Sequence, residues 1–293
     1  MRWRRGTSDA DIEDRRGTNA GGFGGRIPRG GGGLRLGLGG IILLGILSLV
    51  FKQNFFALLD TGSGVGTSVA VPSASGQAQA SPEEEERYEF VKFVLNDVQD
   101  TWARVLPEQG KQYRRARLVY FRDAVQSACG FAEAASGPFY CPGDARIYID
   151  LSFYDELKLR FGAAGDFAQA YVIAHEVGHH LQNILGIEEQ VRGAQQARPD
   201  RTNDLSVRLE LQADCFAGVW GHSTAQRNIL EDGDVEEGLN AAAAIGDDRI
   251  QKMTTGRVMP EKFTHGSSAQ RVTWFRRGLE SGRLDACDTF SGR

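Results

Sequence analysis

Three of the chain's five histidines are crowded into one short run, Ala174-His175-Glu176-Val177-Gly178-His179-His180. The spacing H-E-x-x-H is that of two histidines holding zinc from one helix. A helix turns about 100° per residue, so positions i and i+4 lie on one face, a turn apart. His175 and His179 therefore aim two imidazoles at one point, and Glu176 stands beside them as a general base. The competing reading, histidines falling by chance on a helix surface, leaves their crowding unexplained. A catalytic zinc takes three protein ligands and keeps one position open. The run Glu210-Leu-Gln-Ala-Asp214-Cys215 offers the third. Glu210 can complete the set, and Asp214, one turn on, can accept the spare ring N–H of a ligand histidine.

Such a site points to hydrolysis. Zinc acidifies a bound water and polarises a carbonyl, Glu176 moves the water's proton to the leaving amine, and a further donor steadies the oxyanion. His265 is the candidate donor, in a loop ahead of a helix that Ser267 and Gln270 can cap. His222 competes for that role, being twelve residues from Glu210 on the same helix but about 120° around it. His180 is turned about 100° from His179 and is expected to face away from the metal.

The elements that must carry these residues are legible from periodicity. Ala170, Ala174, Val177, Leu181 and Ile184 form an apolar stripe, with a capping-box start at Asp166 and Gln169 and a stop at Gly186. Leu209, Ala213, Phe216 and Trp220 form the stripe of a second helix, whose neighbouring face carries Glu210 and Asp214. An earlier helix starts at a Ser81/Glu84 capping box, runs through Tyr88, Val91, Leu95, Val98, Trp102 and Val105, and ends at Pro107. Arg117 to Phe121 reads as a strand. Arg146 to Leu151 alternates as a second strand, either paired within its own sheet or left as an edge on which a peptide substrate could pair. Residues 187–203 are polar, contain Pro199, and read as an exposed loop.

With 293 residues and 41% hydrophobic content, the chain can bury a substantial core. The net charge is -4; residues 1–35 hold eight arginines against Asp9, Asp11, Glu13 and Asp14, or +4, leaving -8 on the remainder. That split excludes a nucleic-acid-binding main body, and no nucleic-acid partner is expected. Residues 1–33, rich in Arg and Gly, read as a disordered cytoplasmic tail. Residues 34–59 read as a single-pass transmembrane anchor partnered with the lipid bilayer. Their uncharged core, Leu36–Phe51, covers about 24 Å as a helix and reaches bilayer thickness only with Asn54–Leu59 added. The N-terminal arginines would keep the tail cytoplasmic and place the main domain outside. Residues 60–81 read as a flexible linker and 82–293 as the metallopeptidase domain. The four cysteines, Cys129, Cys141, Cys215 and Cys287, then lie where disulfides persist. Cys129 with Cys141 closes a short local loop, and Cys215 with Cys287 would tie the C-terminus to a central helix; the other pairings stay open.

The stretches Ser127-Ala-Cys-Gly130, Gly137-Pro-Phe-Tyr-Cys-Pro142, Tyr148-Ile-Asp-Leu-Ser-Phe153, His175-Glu-Val-Gly-His179, Glu210-Leu-Gln-Ala-Asp-Cys215, Ile245-Gly-Asp-Asp-Arg249 and Thr264-His-Gly-Ser-Ser268 resemble the neutral zinc metallopeptidase family, bacterial membrane-anchored proteins with a gluzincin-type site. The resemblance covers about residues 82–290 and the anchor. It implies His175, His179 and Glu210 as ligands of Zn2+ and Glu176 as acid/base, in agreement with the spacing. The expectation is an α+β, mostly helical zincin-like domain with a small β-sheet, hydrolysing a peptide or protein substrate outside the cytoplasm. Two other readings are a non-enzymatic metal- or protein-binding envelope module and a zinc amidase acting on cell-wall peptides.

Overall fold

The computed structural model describes residues 1–16, 80–133, 137–150, 152–159, 162–163 and 165–291. The expected anchor at 34–59 and nearly all of the linker lie outside these residues. Among the described residues no helix is long and apolar enough to cross a membrane. The chain clusters into two units, Met1–Ala20 with Ala78–Arg293, and Gly21–Gln77; the second lies outside the described residues. The first is a mixed α/β body with a small sheet, as the periodicities imply.

Helix α1 (Pro82–Glu108) starts at the expected box: the Ser81 hydroxyl accepts the Glu84 N–H and the Glu84 carboxylate accepts the Ser81 N–H. Its stripe of Val91, Leu95, Val98 and Trp102 is fully buried, each side chain contributing about 2 kcal/mol of apolar burial. The helix takes Pro107 into its last turn and ends one residue later than expected.

The sheet contains β1 (Ile12–Asp14), β2 (Arg117–Phe121), β6 (Arg146–Asp150) and β5 (Phe139–Cys141), in the order β1-β2-β6-β5. β1, β2 and β6 are parallel, and β5 runs antiparallel to β6. A hairpin of β3 (Ala124–Ser127) and β4 (Gly130–Glu133) forms a second, two-stranded sheet. Of the two readings open for Arg146 to Leu151, the paired one holds: β6 is paired on both sides, and Ile147 to Asp150 are all buried. One expectation fails: residues 1–16 are not a disordered tail, because β1 extends the sheet and Met1 is buried, its amine paired with Asp166 and Asp234. Charge and glycine content dominated the reading of that segment, while a three-residue parallel strand has no local period to reveal it.

After α2 (Phe153–Leu159), the long helix α3 (Asp166–Ile184) carries the H-E-x-x-H run. It does not begin with a capping box. Gly165 is the cap residue, Asp166 binds Met1, and the Phe167 N–H is taken by Glu237. Gly186, in the left-handed region at φ 73°, separates α3 from α4 (Ile187–Ala197). Most of the expected loop at 187–203 is therefore helical, an exposed helix with Val191 alone buried. α5 (Thr202–Gln226), α6 (Asp234–Ala244), α7 (Asp247–Thr255) and α8 (Ser268–Ser281) complete the body. α3 packs on α1, α5, α6 and strands β5 and β6, and α8 lies closest of all against α5.

Both disulfides form in the favoured pairing. Cys129–Cys141 pins the β3–β4 hairpin to β5, and Cys215–Cys287 ties the C-terminus to α5.

Candidate metal centre

α3 and α5 approach unusually closely where the H-E-x-x-H run faces Glu210. A Cβ on Gly178 would sit 3.0 Å from the Ala213 Cα and carbonyl oxygen, so a glycine there lets the two helices touch backbone to backbone. Within a turn of this contact, the donor atoms of His175, His179 and Glu210 converge on one point. His175 Nε2 lies 3.2 Å from His179 Nε2 and 3.2 Å from Glu210 Oε2, and His179 Nε2 lies 3.6 Å from Glu210 Oε1. Tetrahedral zinc with Zn–N and Zn–O bonds of 2.0–2.1 Å requires donor–donor edges of about 3.3 Å. The triangle matches that size, so these three side chains fit the ion the motif implies, and two imidazoles with one carboxylate are a borderline donor set suited to zinc.

Each histidine is held by its other nitrogen. His175 Nδ1–H donates to Asp214 Oδ1 at 2.9 Å, leaving Nε2 for a metal. Asp214 is fully buried and also accepts from the Tyr171 hydroxyl and from Arg271 Nε and Nη2, both 2.9 Å away. Burial alone would raise the Asp214 pKa, but Arg271 and His175 outweigh it and hold the carboxyl below its usual range. His179 Nδ1–H donates to Gln182 Oε1 at 2.9 Å, and Gln182 is itself fixed by donating to the Leu209 carbonyl and Gln212. At the triangle, burial pushes the His175 ring down, yet its bonds to Asp214 and Glu210 bring it up to about 9. Glu210 is correspondingly held well below the carboxylate range against its burial, by His179 and His175.

The triangle opens into a cavity of about 550 Å³. Glu176 lines it beside the three donors, and Phe139, Tyr140, Phe153, Val172 and Leu209 give it apolar walls. His265 lies in the same cavity, with its side chain half exposed. Asp247, the first residue of α7, builds that loop. Its Oδ2 accepts the backbone N–H groups of Thr264, His265 and Gly266 at 2.7, 2.6 and 3.0 Å, while Oδ1 lies 3.2 Å from His265 Nδ1. The hydrogen bond to Asp247 raises the His265 pKa against burial. Nδ1 being engaged, Nε2 is the nitrogen left to address the cavity.

The structure thus brings together His175, Glu176, His179, Glu210, Asp214 and His265. His222 is elsewhere, donating Nδ1–H to the Leu279 carbonyl at 2.8 Å. His180 faces away, as its rotation predicts: Nε2–H donates to the Arg114 carbonyl at 2.6 Å and Nδ1 accepts from the Tyr140 hydroxyl. Burial lowers its pKa, so it is a neutral link between α3 and the cavity strand β5. Sequence reasoning missed Gln182, Tyr171, Arg271 and Asp247. Gln182 had a local signal, three residues beyond His179 on the same helix face. Arg271 reaches Asp214 across 57 positions, and nothing local marks it.

The comparisons with known proteins agree with this geometry. A family model described as "Putative neutral zinc metallopeptidase" matches residues 1–290, so it includes the N-terminal segment that the sequence resemblance had left aside. The chain is 48% identical over 295 residues to the uncharacterized protein YpfJ of Escherichia coli K12, with 99% of each chain covered. It is 45% identical over 208 residues to the uncharacterized protein Rv2575 of Mycobacterium tuberculosis H37Rv, covering 67% of this chain and 68% of the relative. No solved structure matches. The converging donors and the end-to-end match lead to one statement of kinship: the chain belongs to the neutral zinc metallopeptidase family.

Proposed function

We propose that the protein is a zinc-dependent peptidase acting outside the cytoplasm at a bilayer surface. The observation that carries this reading is the donor triangle of His175, His179 and Glu210, opening into a cavity that also holds Glu176 and His265. A zinc ion bound there supplies a Lewis acid for the scissile carbonyl and acidifies the attacking water. Glu176 takes the proton from that water and delivers it to the leaving amine. His265 donates from Nε2 to the oxyanion of the tetrahedral intermediate, its ring held by Asp247. Asp214 and Gln182 keep His175 and His179 in the tautomer that presents Nε2.

The peptide is expected on β5. Among the described residues that strand pairs only with β6 in its sheet, and Phe139 and Tyr140 line the cavity. An extended substrate can add to the open edge by backbone hydrogen bonds, its apolar side chains entering the cavity. The role first considered for Arg146 to Leu151 therefore passes to β5. The two disulfides support an oxidising compartment, and the apolar residues 34–59 support the bilayer association.

The test is the full-length chain with Glu176→Gln and His179→Ala. Glu176→Gln should retain stoichiometric zinc and lose hydrolysis of an unfolded protein substrate by orders of magnitude; His179→Ala should lose both. Undiminished hydrolysis by Glu176→Gln would end the enzymatic reading.

A further inference from the structure

We infer that Glu188 selects the substrate at this site, by pairing with a basic side chain, lysine or arginine, of a peptide laid along β5. The inference rests on the peptidase reading and adds to it the class of peptide. Few ionisable groups line the cavity, and all but one have a part described above. His175, His179 and Glu210 form the donor triangle, Glu176 and His265 face the reacting atoms, and Arg271 is neutralised by Asp214. Glu188 is the one that remains. Among the described residues no hydrogen bond or ion pair reaches its carboxylate, and Arg192, four residues further along α4, acts on it only through space.

The position of Glu188 follows from the local sequence. Gly186 turns the chain out of α3, and Glu188 falls in the first turn of α4. The helix dipole favours a carboxylate there, which is the ordinary reason to find one. Glu189 meets that need from the exposed side of the same turn. Glu188, about 100° around the helix, is turned into the cavity instead. Its charge is felt by Tyr140 on β5 and by His179 of the triangle, which sets it near both the strand that would hold the peptide and the metal position. Tyr140 does not answer it, because that hydroxyl donates to His180 Nδ1 at 3.1 Å and accepts from Asn183 at 2.7 Å. Burial raises the Glu188 carboxyl pKa, and Arg192 and His179 offset this only in part. A half-buried acid in that state is stabilised by a cation that arrives with the substrate. Phe139, Tyr140 and Pro142 line the same cavity and can cover the aliphatic stem of a lysine or arginine while its head group reaches the carboxylate.

The test uses the full-length chain and end-blocked octapeptides that differ in a single residue, Lys, norleucine or Glu, moved stepwise along the peptide. The parent should cleave the best Lys peptide with a kcat/KM at least about tenfold above that of its norleucine counterpart, as a charge-assisted bond implies. In Glu188→Gln that ratio should fall to near one, and in Glu188→Lys the Glu peptide should become the preferred of the three. A parent ratio near one at every position, or a ratio that survives Glu188→Gln, overturns the inference and leaves the peptidase reading standing. Hydrolysis of none of the peptides by the parent counts against the peptidase reading, and binding then decides the inference. Fluorescein-labelled peptides of the same series are titrated by anisotropy onto zinc-loaded Glu176→Gln, with and without Glu188→Gln. Tighter binding of Lys than of norleucine peptides, lost when Glu188→Gln is added, supports the assignment; equal binding, or none, overturns it.

Discussion

The node formed by Asp214 and Arg271 permits a sharp test of how the metal site is held. Arg271 is only 2% exposed and Asp214 is fully buried. Asp214 receives two N–H bonds from Arg271, the Tyr171 hydroxyl and His175 Nδ1–H. Asp214→Asn keeps the shape, removes the charge, and leaves a buried guanidinium without its counter-ion. Breaking one partner of a buried pair costs about 3–5 kcal/mol. Loss of a carboxylate behind a ligand histidine weakens metal binding by about 10- to 100-fold, or ~1.4–2.7 kcal/mol. These two effects separate in the double variant Asp214→Asn, Arg271→Met, which removes the orphaned charge while leaving His175 with the weaker acceptor. The double variant should recover at least about 1.5 kcal/mol of the stability lost by the single one. Its zinc affinity should stay depressed. Denaturant unfolding gives the first quantity, and competition with a chromophoric chelator the second. If Asp214→Asn unfolds within about 1 kcal/mol of the parent and binds zinc within about twofold of it, Asp214 does not organise the site and the argument is wrong.

Three further outcomes follow from other parts of the structure. Gly178→Ala places a Cβ 3.0 Å from the Ala213 backbone; prising α3 from α5 should cost about 1–3 kcal/mol and weaken zinc binding, measured by unfolding and metal competition together. Asp247→Asn should lower the His265 pKa, since their hydrogen bond raises it, and lower kcat more than it raises KM. A group with a raised pKa stabilises fully below its unfolded value and loses that contribution as pH rises through the folded value. The alkaline limb of the parent's pH–rate profile should therefore move to lower pH in Asp247→Asn; an unmoved limb removes His265 from the reaction. Cys287→Ser opens a loop of 72 residues and should cost about 4 kcal/mol on the chain-entropy estimate, seen as a lower denaturant midpoint without loss of bound zinc at 25 °C.

Much of the candidate site was legible because its signals are local. The i, i+4 pair of His175 and His179, the beside-lying Glu176, and the Glu210/Asp214 turn each need only helical geometry to be read. The capping boxes at Ser81 and Ser267 were readable for the same reason. The gaps are of the opposite kind. Alternation marks Arg146 to Leu151 as a strand but does not reveal whether it is paired on one side or two. Residues 187–203 looked like a loop because a helix burying only Val191 carries almost no apolar period.

Amino-acid order by itself determined which side chains could share a helix face, where those helices start, and which cysteines lie close enough along the chain to make a short loop. It also determined that zinc hydrolysis was the chemistry to expect. Only the tertiary structure decided what stands behind the ligands: Arg271 beneath Asp214, Asp247 beneath His265, and β5 rather than β6 at the cavity rim. It also decided that Met1–Arg16 completes the sheet instead of trailing from it. These contacts join residues tens to more than a hundred positions apart. Their energy comes from burial and hydrogen bonding that exist only after the helices and strands have packed. No period or spacing along the chain encodes such neighbours.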